Sequence, residues 1–151
     1  MIDQVFQYDI PVVHPWVVHF PVALLLATAL TAVVWSVRGS AFWRRATLWL
    51  LSLGTVGMLF SYFTGDAMEV RPLVEDLAAL HEQMALYTLV ATGVALLGML
   101  GATVWLERRI TLERDAPDPI PVRTAITVLI VAAALLVAWT GHIGGVMVWG
   151  V

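Results

Sequence analysis

A chain of 151 residues is one domain by length. It is 60% hydrophobic and 13% charged, whereas a soluble domain is about half apolar and about a quarter charged, so the chain reads as solvated by lipid. A net charge of −3 gives no basis for nucleic-acid binding, and the absence of cysteine excludes disulfides, thiol catalysis and cysteine-held iron–sulfur clusters.

The N-terminal stretch Met1–Phe6 carries Asp3 and lacks the basic region of a signal peptide. No cleavage is expected, and the first apolar run is expected to remain as a span. Residues 1–13 read as an interfacial lead-in. Four apolar runs follow, at about 15–37, 46–64, 84–106 and 122–140. Each has the roughly 17–25 residues that a bilayer core requires of a helix. The expected fold is therefore all-α: an integral membrane up-down-up-down four-helix bundle forming a single domain.

The first run opens with His14-Pro15-Trp16-Val17-Val18-His19-Phe20-Pro21. Pro15 suits a first helical position. His14 precedes a proline and is expected at the cap, outside the helix proper. Pro21 falls inside the helix and frees a carbonyl one turn back. Gly54 and Gly57 in the second run, and Gly93, Gly98 and Gly101 in the third, read as small-residue faces for close helix approach. Residues 66–83 form a polar connection with Asp66, Glu69, Arg71, Glu75, Asp76, His81 and Glu82. From Pro72 onward a helix is expected to begin outside the bilayer and continue into the third run. Residues 107–122 hold three prolines and alternating charges and read as a loop. Gly141-His142-Ile143-Gly144-Gly145 is expected to break the fourth helix. No internal repeat is apparent.

The cations settle the expected orientation. All eight are arginines. Arg38, Arg44, Arg45, Arg108, Arg109, Arg114 and Arg123 flank one set of connections, and Arg71 alone lies on the other side. Seven against one over short loops is a positive-inside signal. Loops 38–45 and 107–122 are accordingly expected in the cytoplasm of a prokaryotic cell, with the protein in the inner membrane and both termini outside. All four histidines, His14, His19, His81 and His142, then fall at the outer face. His19 lies 19 residues from Arg38, and His142 lies 19 from Arg123. At helical rise each interval is roughly 28 Å, which puts these two histidines at one depth. His14 and His81 lie further out.

Histidine at membrane depth points to a functional site. A b-type haem takes two imidazoles from facing helices, so His19 and His142 form the expected axial pair, with His81 as substitute and His14 and Arg71 supporting the propionates. Trp16, Phe20, Tyr87 and Trp139 offer ring-packing surface. A copper, zinc or iron ion held by His14, His19, His81, His142 and Asp66 is the alternative. Taken singly, each histidine also has a plain structural use: His14 as a cap, His81 as a solvated residue, His142 as a cation at a helix C-terminus. The remaining tryptophans read as interfacial anchors. The span interiors hold no acidic or basic residue at mid-depth, which disfavours a proton pump or ion channel. An electron carrier, or a cofactor-free accessory subunit of a larger membrane complex, fits better than a stand-alone enzyme.

His14–Ala27 (HPWVVHFPVALLLA) resembles the opening of the family called domain of unknown function 2231, prokaryotic membrane proteins with four predicted helices. Thr64-Gly65-Asp66 and His81 resemble its middle positions, and Thr140–Gly145 resembles its closing motif, a histidine followed by paired glycines. The resemblance spans nearly the whole chain. The family's further histidine after the paired glycines is replaced here by Val148-Trp149-Gly150. Some relatives are fused to cytochrome c-like or Rieske-like domains, which implies a redox setting and a redox partner.

Overall fold

The computed structural model describes residues 10–66, 75–110 and 117–149. Among these, four helices and no strand are present: α1 (Ile10–Arg38), α2 (Ala41–Asp66), α3 (Glu75–Ile110) and α4 (Ile120–Trp149). Each carries a stretch long and apolar enough to cross a membrane. The protein is an all-α, four-span membrane bundle. In α1 and α4 especially, exposed leucines, valines and tryptophans lie on the outer surface, while the core is filled by Leu25, Ala32, Trp35, Leu51, Met99 and Ile130.

The helices outrun the apolar segments. Unpaired backbone groups are costly in hydrocarbon, so a helix continues wherever its termini would otherwise be bared to lipid. α1 starts at Ile10, which puts His14 and Pro15 inside the helix instead of at its cap. The local bias of a residue before proline is overridden. α2 takes in Phe42, Trp43, Arg44 and Arg45. α4 runs through Gly141–Gly145 to Trp149, where the glycines were expected to end it. α3 extends well beyond its apolar run toward the polar connection, as expected. Arg71 and Pro72 lie outside the described residues.

α1 packs on α2 and α4, and α3 packs on α4 and α2, so α1 and α3 stand on a diagonal. Two close approaches set the α1–α2 pair. A Cβ on Gly54 would come 2.9 Å from Leu25, and one on Gly57 would come 3.2 Å from Pro21. A larger residue at either position would force Leu25 or the Pro21 turn to shift. In α3, Gly98 lies against Ile126, but Gly93 and Gly101 face nothing within 4 Å. The three do not form one packing face.

The bundle contains a repeat. Shifting α1 by 67 residues lays half-buried His14 on half-buried His81, and buried Pro21, Leu25, Thr28 and Ala32 on buried Thr88, Thr92, Ala95 and Met99. Shifting α2 by 79 residues lays Arg44 on Arg123, Leu51 on Ile130, Gly54 on Ala133, Met58 on Val137, Ser61 on Thr140 and Gly65 on Gly144. The two hairpins, α1–α2 and α3–α4, thus carry residues of like burial at corresponding helix positions. Their connecting loops differ in length, so no single offset aligns them in sequence.

At the arginine end a buried polar cluster ties the two hairpins. Asp118, in the connection before α4, accepts from Trp35 Nε1 at 2.7 Å and from Arg44 Nη1. Its backbone N–H donates to Gly39 at 3.0 Å. Arg44 is fully buried and Asp118 nearly so. Trp35 is therefore a core residue, not an interfacial anchor. Gly39 has φ +64°, and a Cβ there would meet Arg123 Nη1 at 2.5 Å. That guanidinium instead donates to the carbonyls of Trp35 and Val37 at the end of α1; the Trp35 carbonyl also accepts from the Gly39 N–H at 2.8 Å. Replacing one member of a buried ion pair leaves the other charge uncompensated, at a cost of about 3–5 kcal/mol. Asp118→Asn is expected to lose about that much stability in denaturant unfolding of the detergent-solubilised protein; a loss below about 1 kcal/mol contradicts a dry ion pair.

Candidate functional site

The opposite end gathers the start of α1, the end of α2, the start of α3 and the end of α4. Two of the four histidines meet there. His14 and His81 reach across the bundle diagonal, with ring centres 6.5 Å apart and planes 89° to one another.

Each ring is fixed from the side by the neighbouring helix of its own hairpin. His14 Nδ1 lies 3.0 Å from Thr64 Oγ1. The Thr64 hydroxyl has one hydrogen and two backbone carbonyls, those of Phe60 and Ser61, each at 3.1 Å. It therefore spends its hydrogen on its own helix and accepts from His14 Nδ1–H. His81 Nδ1 lies 3.1 Å from the Thr140 carbonyl. A carbonyl only accepts, so His81 Nδ1 carries the hydrogen. In their neutral forms both rings are left with a free lone pair on Nε2. Anchoring of one ring nitrogen by a carbonyl or hydroxyl is the arrangement that orients a ligating histidine.

Glycines complete the two cradles. A Cβ on Gly65 would come 2.9 Å from His14 Cε1, and one on Gly144 would come 3.0 Å from His81 Cε1. Gly65 and Gly144 are repeat equivalents, so the same device is built twice. The halves differ one turn deeper. Thr140 Oγ1 pairs with Thr88 Oγ1 at 3.0 Å. Its equivalent, Ser61 Oγ, is buried without a hydrogen-bond partner, because Pro21 stands where the second half has Thr88.

The other expected site residues lie apart from this pair. His19 is exposed, and its Nδ1 donates to the Pro15 carbonyl of its own helix. His142 is exposed, with its ring centre 5.7 Å from that of Trp139. Equal depth does not turn these two toward the bundle interior. Asp66 is exposed at the end of α2, and Arg71 lies outside the described residues. Trp16, Phe20, Tyr87 and Trp139 point outward. No group of three or more histidine or carboxylate side chains suited to one metal ion occurs among the described residues. Sequence reasoning missed Thr64 and Thr140 as anchors and Gly65 and Gly144 as ring seats. Their signal was a small hydroxyl residue followed four positions later by a glycine near the end of each even-numbered helix, Ser61 and Gly65 in α2 and Thr140 and Gly144 in α4.

A bundle of four helices, each long and apolar enough to cross a membrane, defines a small polytopic membrane protein. The chain belongs to the family described as "Predicted membrane protein (DUF2231)", whose model matches residues 10–151. No curated protein and no solved structure matches it.

If the two glycines seat the rings, a methyl at either position must push an imidazole aside. Gly65→Ala and Gly144→Ala are expected to lose about 1–3 kcal/mol. Gly101→Ala, facing open space, is expected to be neutral or slightly stabilising by helix propensity. Equal thermal unfolding of all three in detergent would remove the cradle. Imidazole nitrogen-15 spectra are expected to give His81 as the Nδ1–H tautomer; an Nε2–H tautomer contradicts the bond to Thr140.

Proposed function

We propose that the protein is a small b-type cytochrome-like electron-transfer protein in which His14 and His81 would hold one haem. The observation that carries this is the pair itself: two facing rings, each anchored through Nδ1 and each free at Nε2. The ring centres lie 6.5 Å apart, close enough that both imidazoles could hold one group between them. This moves the axial role from His19 and His142, which depth alone favoured, to the pair whose rings meet.

Haem iron supplies one-electron chemistry. The chain supplies the rest. Thr64 and the Thr140 carbonyl hold the ring orientation and raise the basicity of the ligating nitrogens. Gly65 and Gly144 let the backbone approach the rings. Arg71 is the cation available to propionates. The arginine distribution supports an orientation with this end outside the cytoplasm and the loop at Gly39-Ser40 inside; on that orientation electrons would pass at the outer face to a redox partner. The same nitrogens suit a single copper ion, which separates from haem by spectrum and by metal analysis.

Protein expressed with ample haem is expected to show a Soret band with one haem per chain. His14→Ala and His81→Ala each lose the low-spin spectrum, while His19→Ala and His142→Ala keep it. Absence of a Soret band, or equal haem content in His14→Ala and the parent, overturns the proposal; stoichiometric copper without haem replaces it with the ion. Because the chain has no cysteine, Ser40→Cys gives a single thiol. That thiol is expected to react with an impermeant maleimide only after the membrane is opened from the cytoplasmic side, and labelling of intact cells reverses the orientation.

A further inference from the structure

α1 changes character at Pro21. From Pro21 inward it buries a residue at each turn: Pro21, Leu25, Thr28, Ala32 and Trp35. Outward of it, across residues 13–20, no side chain is fully buried. His14, Val17 and Val18 are half-buried and the rest are exposed. A segment with few buried apolar contacts has low local stability. Pro21 also interrupts the helix that it joins. It has no N–H, so the Val17 carbonyl receives no helical donor. Sharp bends in helices fall at such positions.

The neighbouring helix does not make good the loss. The contacts of His14 with Gly65, Pro21 with Gly57 and Leu25 with Gly54 run in one antiparallel register, which brings Ser61 level with Val17 and Val18. A serine hydroxyl on an adjacent helix is the kind of donor that satisfies a carbonyl freed by proline in lipid. Ser61 Oγ is instead buried and without a partner. Among the described residues, the outer arm keeps one side-chain hydrogen bond to the rest of the bundle, that of His14 with Thr64. The second hairpin is built otherwise. α3 has no proline. Thr88 takes the place of Pro21 and bonds to Thr140 at 3.0 Å, and His81 is tied to the Thr140 carbonyl.

We propose that Pro21 is a hinge. The outer arm of α1 swings on it and parts His14 from His81, opening the histidine end of the bundle, while α3 holds His81 in place. His14 is the moving ring and His81 the fixed one. Entry to the space between the rings is thereby controlled from α1. The hinge is a property of the helices and does not rest on a haem being bound.

The cysteine-free chain accepts spin labels at chosen pairs. Trp16→Cys with Gln83→Cys reports on the outer arms of α1 and α3, and Leu30→Cys with Leu97→Cys reports on the same two helices inward of the hinge. All four positions are exposed. Double electron–electron resonance on the purified, cofactor-free protein in lipid nanodiscs is expected to give an outer distance distribution roughly twice as broad as the inner one. Pro21→Thr restores the N–H, offers Ser61 a hydroxyl and narrows the outer distribution to the inner width. Pro21→Ala restores the N–H alone and narrows it part of the way, which keeps the test open if threonine is not tolerated beside Gly57. Loosening confined to the end of α3 would respond to neither change. His14→Ala removes the tie to Thr64 and widens the outer distribution further. Equal outer and inner widths in the parent protein, or an outer width unchanged by both Pro21 variants, overturns the proposal. The readout is helix position, so failure of the hinge and failure of the haem reading are told apart.

Discussion

Hydrocarbon offers no water to a buried polar group, and both ends of this bundle are arranged around that constraint. At the arginine end the answer is closure. Arg44 is taken fully out of solvent and set against Asp118, which also holds Trp35 and the Gly39 turn. At the histidine end the answer is partial. Thr64 and Thr140 satisfy one nitrogen of each imidazole and leave the other. Each imidazole is thus tied to its neighbouring helix through one nitrogen, and the two rings meet edge-on across the diagonal.

The repeat explains why the two ends differ in this way. Equivalent hairpins place equivalent residues around one axis, so a histidine on α1 implies a facing histidine on α3, each seated on a glycine of the next helix. Where the halves diverge, the divergence has a local cause. Asp118 has no counterpart in the two-residue connection at Gly39-Ser40; it pairs with Arg44, which also lies 3.9 Å from Glu107, while Arg123 turns to the carbonyls at the end of α1. Pro21 in place of Thr88 leaves Ser61 Oγ without a partner.

Much of this was legible in the residues. Four apolar runs of bilayer length gave four helices, and their alternation put every histidine at one end. Azimuth was not legible. Counting residues measures depth along a helix, so His19 and His142 paired on paper. α1 is apolar nearly all round, so nothing in its pattern told which side His19 takes and which His14 takes. The glycines of α4 read as a break because glycine is a poor helix former in water. In lipid the helix persists, and Gly144 serves as a seat for His81. The repeat escaped notice because few identities survive in it, chiefly a histidine, an arginine and a glycine, and because the unequal loops hide them.

Everything proposed for the histidine end depends on His14 and His81 facing each other across the diagonal. The direct test uses the cysteine-free chain with His14→Cys and His81→Cys together, treated in membranes with the shortest bifunctional thiol reagents. The expected result is one intramolecular link, found by mass spectrometry in a peptide pair from α1 and α3, at far higher yield than in a His19→Cys, His81→Cys control. Equal yields in the two proteins, or no link at 14 and 81, would contradict the paired site.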